Sequence, residues 1–230
     1  MEMKRGVFYG VGVGPGDPEL LTLKAVRVLD RCPVIAAPRT KSGAMLALEI
    51  VRKVMPLTGR TILPLDFAMS RDPEVLRASR LRAAEAVETH LEAGRNVAML
   101  NIGDVSVYAT YSYLMELLAA RGHETAMIPG VPSFCAVAAR LGMSLTTAGA
   151  PLHILPGGGP LEEQLDLPGS KVLMKTGKQL PQAAELLRRK GLLDKAALVK
   201  DCGLPTERVC RDLEQLPEDA GYFVTVVVKE

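Results

Sequence analysis

Gly10-Val11-Gly12-Val13-Gly14-Pro15-Gly16-Asp17-Pro18-Glu19-Leu20-Leu21-Thr22 follows directly on the apolar run Val7-Phe8-Tyr9 and puts four glycines within seven residues at the end of a predicted strand. Glycine at alternate positions removes Cβ atoms, permits positive φ and brings bare backbone amides within reach of a ligand. Such a loop points to a cofactor on this turn. The two common phosphate-binding versions can be tested by spacing. The Walker form requires Gly-Lys-Ser or Gly-Lys-Thr after the loop, and neither is present. The Rossmann form requires glycine at the first, third and sixth positions, yet counting from Gly10, Gly12 or Gly14 puts Pro15, Asp17 or Glu19 in sixth place. What remains is a turn stiffened by Pro15, with Asp17 as candidate N-cap and Pro18 at the first helical position. The same residues also suit a plain strand-to-helix connection, so the decision rests on the rest of the chain.

That chain has 230 residues, room for one large or two small domains. Its 28 basic and 26 acidic residues give a net charge of +2 without blocks of one sign, which argues against nucleic acid and anionic membranes and for a small-molecule ligand. The apolar runs are short, and Met1-Glu2-Met3-Lys4-Arg5 leads into a strand rather than a signal-peptide core, so a cytoplasmic protein is expected. Cys32, Cys135, Cys202 and Cys210 are scattered and His90, His123 and His153 lie far apart, so no metal site is expected and the cysteines read as buried thiols. With no tryptophan, five tyrosines and four phenylalanines, little material exists for gripping single-stranded nucleic acid.

Strands alternate with helical patterns, which predicts an α/β fold with largely parallel sheet. Strands are expected at Gly6–Val13, Val34–Ala37, Thr61–Leu65, Asn96–Leu100 and Glu124–Ile128, with helices at Pro18–Asp30, Gly43–Val54, Pro73–Glu92 and Val107–Arg121 between them. The register changes near Ile128, giving a first domain over residues 1–127 and a second over 128–230. The second would hold helices at Pro132–Leu141 and Gln179–Lys190, and strands at Leu152–Leu155, Lys171–Lys175, Ala196–Lys200, Arg208–Cys210 and Tyr222–Val228. Its last strand has no helix after it, so a mixed sheet is expected there.

Four further small-residue loops follow predicted strands: Asn101-Ile102-Gly103-Asp104, Pro129-Gly130-Val131-Pro132-Ser133, Lys175-Thr176-Gly177 and Asp201-Cys202-Gly203. Ligands of open α/β sheets bind at strand C-terminal ends. Asp104 can cap the next helix or accept hydrogen bonds from an amino group or a ribose hydroxyl. If two α/β units face each other, five such loops could share one crevice and hold a ligand largely by backbone groups.

The order Gly-x-Gly-Pro-Gly-Asp-Pro-Glu-Leu-Leu-Thr, then Gly-Asp, then Pro-Gly-Val resembles the tetrapyrrole methylases, which use S-adenosylmethionine in building corrinoids and sirohaem. The resemblance covers essentially the whole chain. Leu65-Asp66-Phe67-Ala68-Met69-Ser70-Arg71-Asp72 and Gly103-Asp104-Val105-Ser106-Val107-Tyr108-Ala109-Thr110-Tyr111-Ser112-Tyr113-Leu114 resemble the branch that methylates C20 of precorrin-2 or its cobalt form. Val105 stands where the family usually has proline, and Pro132 where it has serine or threonine.

The resemblance implies two αβα domains with a cleft between them, a first sheet mainly parallel and a second mixed, in a homodimer. It implies S-adenosylmethionine at Pro15, Ile102, Gly103, Asp104, Val107, Tyr108, Ser133, Phe134, Thr176, Gly177 and Cys202, with Gly14 and Gly16 lining the macrocycle side. A cofactor without phosphate suits glycine loops that lack an anion clamp. Methyl transfer chiefly needs alignment in a dry cleft, but a meso carbon must then lose its proton, for which Asp17, Asp104 and Tyr111 are the candidate acceptors. Arg39, Lys41 and Arg71 are candidates for the carboxylates rimming a tetrapyrrole, and His153 reads as a core or edge residue rather than a cobalt ligand.

Two alternatives lie outside this reading. An oxidoreductase would need an acid after the second strand to hold a ribose, where Ala36-Ala37-Pro38-Arg39-Thr40 offers only Arg39, compatible with NADP. A non-catalytic binding module would keep the same loops. Within the family, the rival is a methylase acting at another ring carbon.

Overall fold

A computed structural model describes residues 5–214 and 221–229, so Met1–Lys4 of the stretch expected before the first strand lie outside the described residues. Two compact units divide the chain, Met1–Pro132 and Ser133–Glu230. The division falls after Pro132 rather than near Ile128 because the strand ending at Ile128 is hydrogen-bonded into the first sheet.

The first unit alternates β1 (Phe8–Gly12), α1 (Leu23–Arg31), β2 (Val34–Arg39), α2 (Leu46–Arg52), β3 (Thr61–Asp66), α3 (Pro73–Glu92), β4 (Val97–Asn101), α4 (Tyr111–Ala120) and β5 (Thr125–Ile128). Its strands pair in parallel in the order β3-β2-β4-β1-β5. Parallel strands covered on both faces are apolar at every position, and β2 illustrates why. Ile35 and Ala37 pack with Leu29, Leu48 and Val51 of α1 and α2, while Val34 and Ala36 pack with Val87, Leu91 and Leu114 of α3 and α4. The connections from β1 and β4 therefore leave on opposite faces of adjacent strands. That is the switch point at which open α/β sheets leave a crevice.

The second unit comprises α5 (Ser133–Leu141), β6 (Leu152–Pro156), α6 (Leu161–Gln164), β7 (Ser170–Met174), α7 (Leu180–Arg189), β8 (Ala196–Lys200), β9 (Arg208–Cys210) and β10 (Val224–Val228). The sheet is mixed, ordered β6-β7-β10-β8-β9, with β6 and β7 parallel and the other pairs antiparallel. One face of β10 (Val224, Val226, Val228) packs with Leu173, Leu198, Ala183 and Leu187 in a core shared with α7. No helix among the described residues is long and apolar enough to cross a membrane.

Three expected helices differ. The helix expected over Pro18–Asp30 is a 3-10 turn, Pro18–Leu20, followed by α1. Leu21 and Thr22 are extended, and the Thr22 hydroxyl caps α1 by accepting from Ala25 N at 3.1 Å. Helix α4 starts at Tyr111, not Val107, because Tyr108 has φ 49°, outside the right-handed helical region. Helix α2 starts at Leu46 because Thr40 and Ala44 close a turn first, Ala44 N donating to Thr40 Oγ1 at 3.1 Å. The short α6 lies just beyond Pro156–Pro160, where no helix is expected.

Candidate functional site

The glycine loop leaves β1 at the switch point, and most of its glycines serve the protein itself. A Cβ at Gly10 would stand 2.6 Å from the Tyr111 ring, so this glycine makes room for an aromatic of α4. A Cβ at Gly12 would meet Gly130 N at 2.6 Å and Gly103 O at 2.8 Å, and one at Gly130 would meet Gly103 O at 2.3 Å. The loops after β1, β4 and β5 thus touch backbone to backbone. Gly14, at φ 78°, exchanges hydrogen bonds with Gly103: Gly103 N donates to Gly14 O at 2.7 Å and Gly14 N to Gly103 O at 3.3 Å. Gly14, Pro15 and Gly16 are buried. Asp17 caps the 3-10 turn, accepting from Glu19 N at 2.9 Å.

Asp104 locks this arrangement. Its Oδ1 accepts from Ser106 N at 2.8 Å and from the Ser106 hydroxyl, and its Oδ2 accepts from Gly130 N at 2.9 Å. Burial works against the charge, but hydrogen bonds from Ser106, Gly130 and Val105 outweigh it and hold the carboxyl below its ordinary range. A carboxylate so engaged is a weak base, and its capping partner is the turn at Ser106 rather than α4. Beside it, Ile102 and Val107 are half-buried and Tyr108 is exposed. Tyr108 has a left-handed backbone, which costs about 1–3 kcal/mol outside glycine and recurs at ligand-binding loops.

Tyr111, a candidate proton acceptor by sequence, lies in the interior of the first unit. The residue is 0% exposed, its ring packs on Phe8 with centroids 4.8 Å apart, and its hydroxyl donates to the carbonyl oxygens of Phe8 and Ala126, each at 3.0 Å. Burial pushes its pKa up to about 12. It belongs to the core. Tyr111→Phe is expected to cost about 1 kcal/mol of stability in urea denaturation and to leave kcat unchanged.

Arg39 is also committed elsewhere. Its guanidinium forks onto Asp66 with Nε–Oδ1 2.9 Å and Nη2–Oδ2 2.6 Å, a bond that lowers the Asp66 pKa. The pair joins the last residues of β2 and β3. Lys41 and Arg71 are exposed, in the β2–α2 and β3–α3 loops.

In the second unit, Thr176 and Gly177 follow β7. Thr176 is 1% exposed, and its Oγ1 is buried without a hydrogen-bond partner among the described residues. Gly157 abuts it so closely that a Cβ there would stand 2.6 Å from Thr176 Cα. Lys175 and Asp201, which directly follow β7 and β8, have φ 59° and 51°. Among the described residues, the left-handed ones other than glycine are therefore in loops that follow strands β4, β7 and β8. Cys202 is buried beside Glu207, which accepts from Gly203 N at 2.8 Å and pairs with Arg140 of α5. Phe134 is buried, and Ser133 Oγ lies 3.5 Å from Thr225 Oγ1. His153 is in edge strand β6, its Nε2 3.0 Å from Pro168 O.

Ligand-atom positions of Glu88, Glu92 and His123 come within 4.8 Å of one another. Glu88 is held by Arg121 and by His123 Nε2 at 2.9 Å, contacts that tie α3 to the turn before β5, while Glu92 is exposed. Of the cysteines, Cys135 is exposed and Cys210 half-buried, against the expectation of buried thiols.

Spacing alone hid two features. The contact of Gly12, Gly103 and Gly130 joins residues far apart in sequence, and only the recurrence of glycine after three strands hinted at it. Ser106 was signalled by Asp-x-Ser, the pattern of an aspartate accepting from the backbone two residues on.

A sequence model of the tetrapyrrole (corrin/porphyrin) methylases matches residues 7–217. The chain belongs to this family. It is 31% identical to the cobalt-precorrin-2 C(20)-methyltransferase of Salmonella typhimurium over 98% of this chain and 97% of that one. It is 32% identical to the precorrin-2 C(20)-methyltransferase of a Sinorhizobium species, over 97% and 95%. The crystal structure of uroporphyrin-III C-methyl transferase from Thermus thermophilus, complexed with S-adenyl homocysteine, superposes with a TM-score of 0.70 at 26% identity, covering 97% of each chain. An oxidoreductase gains no support from these comparisons.

Proposed function

We propose that this methylase transfers a methyl group from S-adenosylmethionine to C20 of precorrin-2 or its cobalt form, in the building of the corrin ring of cobalamin. The observation carrying this reading is near-full-length identity of 31% and 32% to two proteins named for C20 methylation, one on the cobalt substrate and one on precorrin-2 itself. Cobalt would enter with the substrate.

The residues suit the cofactor. A sulfonium nucleoside carries hydroxyl and amino groups but no phosphate, and the loops offer backbone groups, hydroxyls and a buried hydroxyl, Thr176 Oγ1, that lacks a partner among the described residues. In the first unit the positions matching cofactor contacts are Pro15, the Ile102-Gly103-Asp104 turn, Val107 and Tyr108. In the second they are Ser133, Phe134, Thr176, Gly177 and Cys202. When bound, the cofactor supplies an electrophilic methyl. The chain's own part is to fix the loops, exclude water and hold the reacting carbon in line. Asp104 does the first of these through Ser106 and Gly130. With Asp17 capping a turn, Asp104 saturated and Tyr111 buried, we assign the meso proton to solvent rather than to a protein base.

In the same reading the enzyme is a cytoplasmic homodimer. One experiment tests the whole: incubate the protein, after sedimentation to establish its mass, with S-adenosylmethionine and either metal-free or cobalt-loaded precorrin-2, and read the methyl position by NMR. Methylation at C20 by a species of twice the chain mass is expected. Methylation at another carbon would move the assignment to a different branch, and no turnover with either substrate would leave a binding module.

A further inference from the structure

Tyr222 and Phe223 begin the run Tyr222–Val228, whose composition assigns all of it to a strand, yet β10 opens only at Val224. The two rings stand outside it in edge-to-face contact, centroids 5.1 Å apart at 88°, and they are 52% and 36% exposed. Keeping two neighbouring aromatics at the surface forgoes a large burial gain, the more so in a chain with no tryptophan and four phenylalanines.

Their place is fixed by the candidate loops. Asp201 N donates to Phe223 O at 2.8 Å, which ties the pair to the loop after β8. The vacant Cβ position of Gly177 lies 3.0 Å from Gly221 O and 3.9 Å from Tyr222 Cα, which ties it to the loop after β7. Next to Gly177 is Thr176, buried and with its Oγ1 unpartnered among the described residues. A buried hydroxyl without a partner carries a desolvation cost that a ligand atom would remove. Apolar rings on the segment that meets Gly177, the residue next to an unmet hydroxyl, suit a flat heteroaromatic ring that stacks by its face and hydrogen-bonds by its edge. A purine has that chemistry and a face matching one or two side-chain rings, whereas a tetrapyrrole is several times larger.

We propose that Tyr222 and Phe223 form the wall on which the purine of the cofactor stacks, with Thr176 Oγ1 meeting a polar atom of the same nucleoside. This rests on the methylase reading. The probe is S-adenosylhomocysteine, titrated into the full chain by calorimetry and, because the protein lacks tryptophan, by tyrosine emission. Wild type is expected to bind with quenching of tyrosine emission. The Tyr222→Ala, Phe223→Ala double variant is expected to bind about 10-fold more weakly. Tyr222→Phe should keep the affinity and lose much of the quench. Adenosine alone should lose the same factor, since the loss lies in the ring. As both side chains are partly exposed, the variants should melt like wild type, and the single variant Tyr222→Ala carries the test if the double one does not. An affinity within about twofold of wild type in the double variant would overturn the wall. A raised KM for the tetrapyrrole with unchanged nucleoside affinity would overturn it too, assigning the rings to the macrocycle. Failure of wild type to bind the nucleoside would instead overturn the methylase reading itself, and the wall with it.

Discussion

Gly130→Ala is expected to lower the melting temperature of the first unit by roughly 10 °C, the equivalent of about 3 kcal/mol. The added carbon would stand 2.3 Å from Gly103 O, 2.7 Å from Gly12 C and 2.9 Å from Gly12 Cα. All three are backbone atoms, so no side chain can swing aside and the loops after β1, β4 and β5 must part. Parting them breaks the bond from Gly130 N to Asp104 Oδ2 as well. Gly43→Ala separates this clash from the general cost of replacing glycine. Gly43 has φ 88° but nothing within 4 Å of its Cβ position, so only backbone strain of about 1–2 kcal/mol is expected. Equal melting points for the two variants would overturn the close-contact account.

Asp104→Ala carries the second large effect, about 2–3 kcal/mol at neutral pH, because it strips the acceptor from Ser106 N, the Ser106 hydroxyl and Gly130 N. Its pH dependence follows from the direction of its shift. The folded pKa is depressed, so this stabilisation is complete above the ordinary aspartate value of about 4 and is lost as pH falls through the lower, folded value. Urea denaturation of wild type and variant should therefore differ most at pH 7 and converge in acid. Glu88 and Glu207, shifted the same way, make the wild type itself less stable in that window. Kinetics separate a clamp from a base. Loss of a general base costs about 10²–10⁴ in rate, whereas loss of a clamp should weaken cofactor binding first. A fall in kcat of that size with intact affinity would return Asp104 to catalysis.

Much of the fold could be read directly, where local signals agreed. Helix α3 starts and stops as expected because Asp72 caps it, Pro73 occupies its first position, and its apolar stripe is long. Strands β8 and β9 also match the expected bounds. The misplaced boundaries share one cause, a conformation imposed locally against the pattern: Thr22 capping a new helix, and Tyr108 held left-handed before α4. At the site, the loops were legible as loops, but the uses of their residues were not. Gly10 and Gly12 read as openings for a ligand, yet their missing side chains accommodate Tyr111 and Gly130. Arg39 read as a substrate arginine, yet Asp66, its partner, sits on the neighbouring strand. Pairings across a parallel sheet join residues separated by a whole helix, and no short-range spacing reports them.

The order of the second sheet bears on how the protein is made. Strand β10 lies between β7 and β8 and is hydrogen-bonded to both. On the ribosome the first unit has all its strands once Ile128 has emerged, and domains fold as they appear at about 5–20 residues per second. The second remains two unjoined halves, β6–β7 and β8–β9, until residues 224–228 clear the exit tunnel. A nascent chain stalled short of them would present two open strand edges to chaperones beside an already folded first unit.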